Sequence, residues 1–224
     1  MRDHLGNPFH SGRPEFAAGV LLLDDCEGSM TWIVSGTGGD DVHAYAAAAA
    51  YTGATGLHLK TRTTASAVDD ELTVQKLLDY PASGLLVARL RLAPVVLARD
   101  KAIYLSLRHD DGAQQYLAAL KLCPATSKTY YLDAAGTYIE LTDLDITYTA
   151  SCFYVVGLAI DCLAHQYLYA QFTGRQADLA GLPLYNDAAT AARSAQILLT
   201  ITATAAGPAE AYFDNIYCGE HTEI

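Results

Sequence analysis

The feature that most constrains this chain is a two-residue alternation of apolar and polar side chains that recurs from Val20 to Cys218. Leu86, Ala88, Leu90 and Leu92 fall on one side of an extended chain, and Arg89 and Arg91 fall on the other. Ile103, Leu105 and Leu107 alternate in the same way with Tyr104, Ser106 and Arg108. A period of two sends successive side chains to opposite faces of a strand, whereas a helical period would scatter these apolar residues around the axis. Further strands fit residues 129–132, 137–141, 153–161, 167–172, 196–204 and 211–218. Asp110-Asp111-Gly112 separates segments 102–108 and 115–122 with residues that tolerate positive φ, so a tight hairpin is expected there. Roughly a dozen short strands with turns between them predict an all-β fold, a two-sheet antiparallel jelly-roll sandwich.

Three stretches interrupt the pattern. The run Ala46–Ala50 has high helix propensity, but Tyr45, Tyr51, Gly53 and Gly56 around it point to a strand or loop. Residues 187–195 could form a short helical turn. Residues 1–16 carry Gly6, Pro8, Gly12 and Pro14, which exclude a continuous helix or central strand and predict an extended N-terminal arm. In that arm Arg2, His4, Phe9, Arg13 and Phe16 are the candidates for gripping a neighbouring subunit; a frayed terminus is the alternative. The rest, residues 17–224, is expected to be one β-sandwich domain, because 51% hydrophobic residues against 17% charged ones suffice to bury a core.

A net charge of −11 argues against nucleic acid, which needs clustered Lys and Arg to displace phosphate counterions. Residues 1–16 hold no apolar core of a secretory signal, and no apolar run approaches the ~20 residues of a membrane span. A soluble protein with no membrane partner is the expectation. Five cysteines without Cys-x-x-Cys spacing indicate buried free thiols, not a zinc site or a disulfide framework. If one bridge formed, it would join Cys26 to Cys218.

Three segments resemble a known fold family. Leu22-Leu23-Asp24-Asp25-Cys26-Glu27-Gly28 with Trp32, echoed by residues 55–60, is similar to the opening strand and acidic turn of concanavalin A-like lectin/glucanase sandwiches. The stretch from Tyr154 to Tyr185 resembles the strand-turn-strand of laminin G-like repeats, and Ala211–Ile216 resembles the closing strand. The resemblance spans residues 20–218 and marks a fold, not an activity. It implies a structural calcium ion where the first and last strands meet, with Glu27 and Asp214 as ligands; the alternative makes them a solvated turn residue and an outward strand residue. It also implies an aromatic sugar platform, for which Tyr167, Tyr169 and Gln171 alternate onto one face. Packing between sheets or at a subunit contact would use the same tyrosines.

Hydrolases of such folds need two carboxylates flanking one glycosidic bond, and no Glu-x-Asp-x-Glu pattern is present. Asp69-Asp70-Glu71 reads as a solvated loop, and Asp143 and Asp145 as surface carboxylates. The seven histidines are scattered and read as surface or loop residues, and Gly36–Gly39 lacks the lysine of a phosphate loop. The expectation is therefore a non-enzymatic virion protein: a structural or capsid decoration subunit of a phage-like particle, a homo-oligomer assembled in the host cytoplasm. The alternative is an extracellular carbohydrate-binding or adhesion module on the same fold, with a glycan as partner.

Overall fold

The computed structural model describes residues 19–36, 40–62, 70–98, 101–189, 192–203 and 207–220. Sixteen strands occur among them. They are β1 (Val20–Asp24), β2 (Ile33–Gly36), β3 (Val42–Ala46), β4 (Gly56–Lys60), β5 (Asp70–Leu78), β6 (Leu85–Pro94), β7 (Lys101–Asp111) and β8 (Gln114–Cys123). There follow β9 (Lys128–Leu132), β10 (Tyr138–Glu140), β11 (Tyr154–Asp161), β12 (Gln166–Phe172), β13 (Arg175–Asp178), β14 (Tyr185–Ala189), β15 (Arg193–Ala203) and β16 (Glu210–Glu220). They form two antiparallel eight-stranded sheets. The back sheet runs β13-β12-β11-β6-β16-β4-β3, with β1 also on β16. The front sheet runs β10-β9-β8-β7-β15-β5-β2, with β14 also on β8. The chain is the two-sheet sandwich that its alternation predicts.

The alternation explains the core. Leu86, Leu90, Leu92, Val156, Leu158 and Ile160 of the back sheet face Leu72, Val74, Leu105, Leu107, Leu120 and Leu199 of the front sheet, all but fully buried. The Asp-Gly turn is where expected: β7 and β8 pair from Ile103↔Leu122 to Asp110↔Gln115, and Gly112 turns the chain with φ +95°. Asp111 holds the turn by accepting the N–H groups of Ala113 and Gln114. The alanine run ends β3 and closes into a single 3-10 turn at Ala47–Ala49. In segment 187–195, residues up to Ala189 end β14 and those from Arg193 begin β15, while residues 190 and 191 lie outside the described residues.

Of four register shifts among the described residues, two matter to the core and the site. On β12, Ala159 pairs with Tyr169 but Ile160 pairs with Tyr167, so Leu168 is an extra residue. On β16, the register shifts between Asp214 and Tyr217, around Asn215 at φ +49°. Each insertion exchanges the faces of the residues beyond it. Phe213 and Ile216 are accordingly both in the core although three residues apart, as are Tyr167 and Ala170.

The first and last strands are neighbours, pairing from Val20↔Gly219 to Asp24↔Ile216. Cys26 and Cys218 are nonetheless free and buried, and the other three cysteines are free as well. Burial pushes the Cys26 and Cys218 thiols up, which keeps them protonated and inert.

Candidate functional site

The outer face of the front sheet is the strongest candidate. One register row reads Tyr130, Lys121, Tyr104, Thr200, Thr73 and Ser35 across β9, β8, β7, β15, β5 and β2. The next row reads Ala119, Ser106, Leu198, Gln75 and Ile33, and a third reads Leu117, Arg108, Gln196 and Leu77. A single groove of about 520 Å³ is lined by residues from β2 at one edge to β10 at the other, so the sheet curls around it. Its floor is made of hydroxyl and amide side chains: Thr73, Gln75, Ser106, Thr200 and Thr202. The hydroxyls of Thr73 and Thr200 bond one another at 2.8 Å, and Glu71 accepts a hydrogen bond from Thr73 at 3.3 Å.

One wall is aromatic. Tyr104 and Tyr138 lie 5.8 Å apart at a tilt of 58°, and the Lys121 ammonium sits 5.9 Å and 5.1 Å from their ring centroids. Burial raises the Tyr138 phenol, with the Tyr104 neighbour and Glu71 adding to it, so it remains a neutral donor. Arg108 lines the groove with Gln196 as its neighbour on β15, and the Arg108 Nε and the Gln196 Oε1 are both buried without a hydrogen-bond partner among the described residues.

The expected loop Asp69-Asp70-Glu71 is resolved differently. Asp70 opens β5, is buried, and takes a bidentate hydrogen bond from Arg62 at 2.6 and 3.0 Å, while Glu71 points into the groove. Asp69 lies outside the described residues. Asp145 is engaged by the Lys128 ammonium at 2.8 Å and the Thr129 N–H at 3.1 Å, a structural role.

The expected sugar platform does not exist as one face. Tyr167 is fully buried, because the Leu168 bulge turns it into the core. Its hydroxyl donates to the Leu132 carbonyl at 2.7 Å and accepts the Ala119 N–H at 3.0 Å. That N–H falls where the edge of β8 passes from β14, paired up to Leu117, to β9, paired from Leu120. Tyr169 and Gln171 remain on the outer face of the back sheet, but Gln171 is buried and accepts a hydrogen bond from Arg89 at 2.7 Å. This is packing, not an open surface.

Glu27 and Asp214 do converge, on the loop after Ala50. Glu27 Oε1 accepts the N–H groups of Ala54 and Thr55, at 2.6 and 3.1 Å. Asp214 Oδ2 accepts those of Tyr51 and Thr52, at 2.7 and 2.9 Å, and its Oδ1 that of Asn215 at 2.7 Å. Burial raises the Asp214 carboxyl, and the nearby Glu27 adds to that. This donor set does not fit the calcium ion that the resemblance implies. The oxygens are aimed at N–H donors, and no cluster of three or more metal-ligating side chains occurs among the described residues.

The histidines are not all peripheral. His109, on the inner face of β7, is fully buried with neither ring nitrogen bonded, and it stacks on Tyr116 and His165 with centroids 5.0 and 5.2 Å away. Arg2, His4, Phe9, Arg13 and Phe16 lie outside the described residues, as does the glycine loop 37–39.

No protein-family model matches the sequence, and no curated protein matches it. Solved structures do resemble it. An endo-β-1,4-glucuronan lyase from the fungus Trichoderma reesei is 9% identical with a TM-score of 0.63, over 92% of this chain and 95% of that one. A carbohydrate esterase from the Shiga toxin-encoding bacteriophage phi24B is 15% identical with a TM-score of 0.63, over 92% and 100%. A Bacillus licheniformis β-glucanase is 10% identical with a TM-score of 0.52, over 92% and 100%. The fold is therefore the concanavalin-like jelly roll, shared with enzymes that act on glycans. This corrects the expectation of a non-catalytic domain. The missing Glu-x-Asp-x-Glu pattern argues against one hydrolytic chemistry, while the fold itself hosts lyases, esterases and glucanases.

What residue-level reading missed was the groove, although Tyr104, Ser106 and Arg108 were visible as the outward half of an alternation. The missing information was adjacency. Three strands distant in sequence, β5, β7 and β15, contribute its floor side by side.

Proposed function

We propose that the protein binds a polysaccharide chain across the outer face of its front sheet. The observation that carries this reading is the groove itself: an edge-to-edge channel with a hydroxyl and amide floor and a two-tyrosine wall. Sugar rings present apolar C–H faces and a rim of hydroxyls, so tyrosine rings and threonine hydroxyls are complementary to both. An open groove admits the middle of a polymer, where a closed pocket would admit only its end. The subunit-gripping reading depends on arm residues outside the described part, so the groove takes precedence.

Affinity electrophoresis and calorimetry with a panel of soluble plant, fungal and bacterial polysaccharides test the proposal. Tyr104→Ala and Tyr138→Ala are each expected to weaken binding about 3- to 10-fold, from roughly 0.5–1.5 kcal/mol of aromatic contact. Binding that survives both substitutions unchanged, or no binding to any polymer, would overturn it. Incubating the same polymers and following new reducing ends and unsaturated products reads out turnover. Glu71 and Asp110 do not make a facing carboxylate pair. Asp110 lies eight residues along β7 from Ala102, which stands in the row of Glu71, about 26 Å away against the roughly 5–9.5 Å such a pair needs.

A further inference from the structure

One cation, Arg108, points to the ligand class, an inference that rests on the groove being the binding site; the groove's carboxylate, Glu71, stands at its far end, in the row of Ala102 and Thr202. The whole chain carries a net charge of −11, yet Arg108 stands at the centre of the front sheet, opposite Gln196 on one side and Leu117 on the other. Its guanidinium makes no ion pair among the described residues, and its Nε is buried without a partner. Asp110, the next carboxylate on the same face of β7, is already taken by the Ser194 hydroxyl and by the Gln115 amide at 2.9 Å. Beside Arg108 the Gln196 Oε1 is also buried and unbonded. An unsatisfied buried guanidinium nitrogen and an unsatisfied amide oxygen, side by side, each cost free energy that no intramolecular contact returns. Lys121 adds a second cation at the tyrosine wall.

We propose that the groove selects an acidic polysaccharide, a polymer of uronic acid residues. Arg108 receives the carboxylate of one sugar unit on its planar N–H fork, and Gln196 Oε1 accepts a hydroxyl of the same unit. Lys121 meets the charge of a neighbouring unit over the tyrosine wall. A carboxylate matches the guanidinium fork with two parallel hydrogen bonds between opposite charges, and a neutral sugar supplies hydroxyl acceptors without the charge.

The experiment compares, by calorimetry at low and at physiological salt, a uronic acid polymer, a neutral polymer of matched linkage and length, and a sulfated polymer. Wild-type protein is expected to prefer the uronate polymer at least about tenfold over the neutral one, and Arg108→Leu to collapse that ratio towards one. Arg108→Lys, which keeps the charge but loses the fork, is expected to restore only part of the ratio. Matching circular dichroism and melting curves establish that the variants are folded.

Equal affinity for acidic and neutral polymers, or an Arg108→Leu variant with an unchanged ratio, overturns the inference while leaving the groove in place. Preference for the sulfated polymer over the uronate one overturns the carboxylate assignment. Binding of every polymer left unchanged by Tyr104→Ala and by Tyr138→Ala sinks the groove reading instead.

Discussion

Acid should destabilise this protein through His109 in particular. The ring is fully buried on the inner face of β7, stacked on Tyr116 and His165 and met edge-on by Tyr80, and neither nitrogen is bonded. Burial, with the His165 ring adding to it, pushes its pKa down from 6.5 to about 4 against the opposing pull of Asp111, Asp110 and Asp161. The native state therefore keeps this ring neutral, while the unfolded chain protonates it near 6.5. Below pH 6.5 the unfolded state binds the extra proton, so the stability present at neutral pH is lost as the pH falls towards 4. The gap from 6.5 to about 4, at about 1.4 kcal/mol per pH unit, is on the order of 3 kcal/mol, of which about 2.5 kcal/mol falls between pH 7 and pH 4.5. Urea unfolding of wild type and His109→Phe at pH 4.5, 5.5 and 7 measures it. Phenylalanine keeps the stacked ring and removes both nitrogens, so the variant is expected to lose about 2.5 kcal/mol less than wild type over that range. Parallel stability curves for the two proteins would refute the reasoning, whatever their absolute offset.

Three other consequences are open to direct measurement. Asp214→Ala leaves the N–H groups of Tyr51 and Thr52 without their acceptor and should cost about 2–4 kcal/mol in denaturant unfolding, while chelator leaves the wild-type melting temperature unchanged. A chelator-induced drop would show that the loop opens to admit a cation after all. Tyr167→Phe should cost about 1–3 kcal/mol, by unpairing the Ala119 N–H and the Leu132 carbonyl, with polysaccharide affinity unaffected. Loss of affinity without loss of stability would reinstate that tyrosine as a binding residue. At Gly56 an added Cβ would strike the Ala49 carbonyl, so Gly56→Ala should lower the melting point and expose the loop after Ala50 to limited proteolysis.

Much of the architecture was written in local pattern. The outward Arg89 and Arg91 against the inward Leu86, Leu90 and Leu92, and Gly112 at the hairpin, follow from a pleated chain and from the freedom of glycine at positive φ. Those rules act on neighbours in the sequence, and they defined strands, turns and a sandwich. The meeting of Glu27 and Asp214 followed instead from the resemblance to sandwiches whose first and last strands pair.

Two things were beyond their reach. A bulge inserts one residue without changing composition, so nothing local announced that Leu168 turns Tyr167 inward, away from Tyr169 and Gln171. Strand adjacency is set by the packing of the whole core. The pairing of β15 with both β5 and β7 placed Thr73, Gln75, Tyr104, Ser106, Arg108, Thr200 and Thr202 on one wet face, and the same packing buried His109 among aromatic rings. The sequence by itself determined that this chain folds as an antiparallel sandwich, because hydrophobic periodicity is a local property. Only the tertiary structure decided which polar side chains meet in a groove, because that depends on strands far apart in the chain burying their inner faces together.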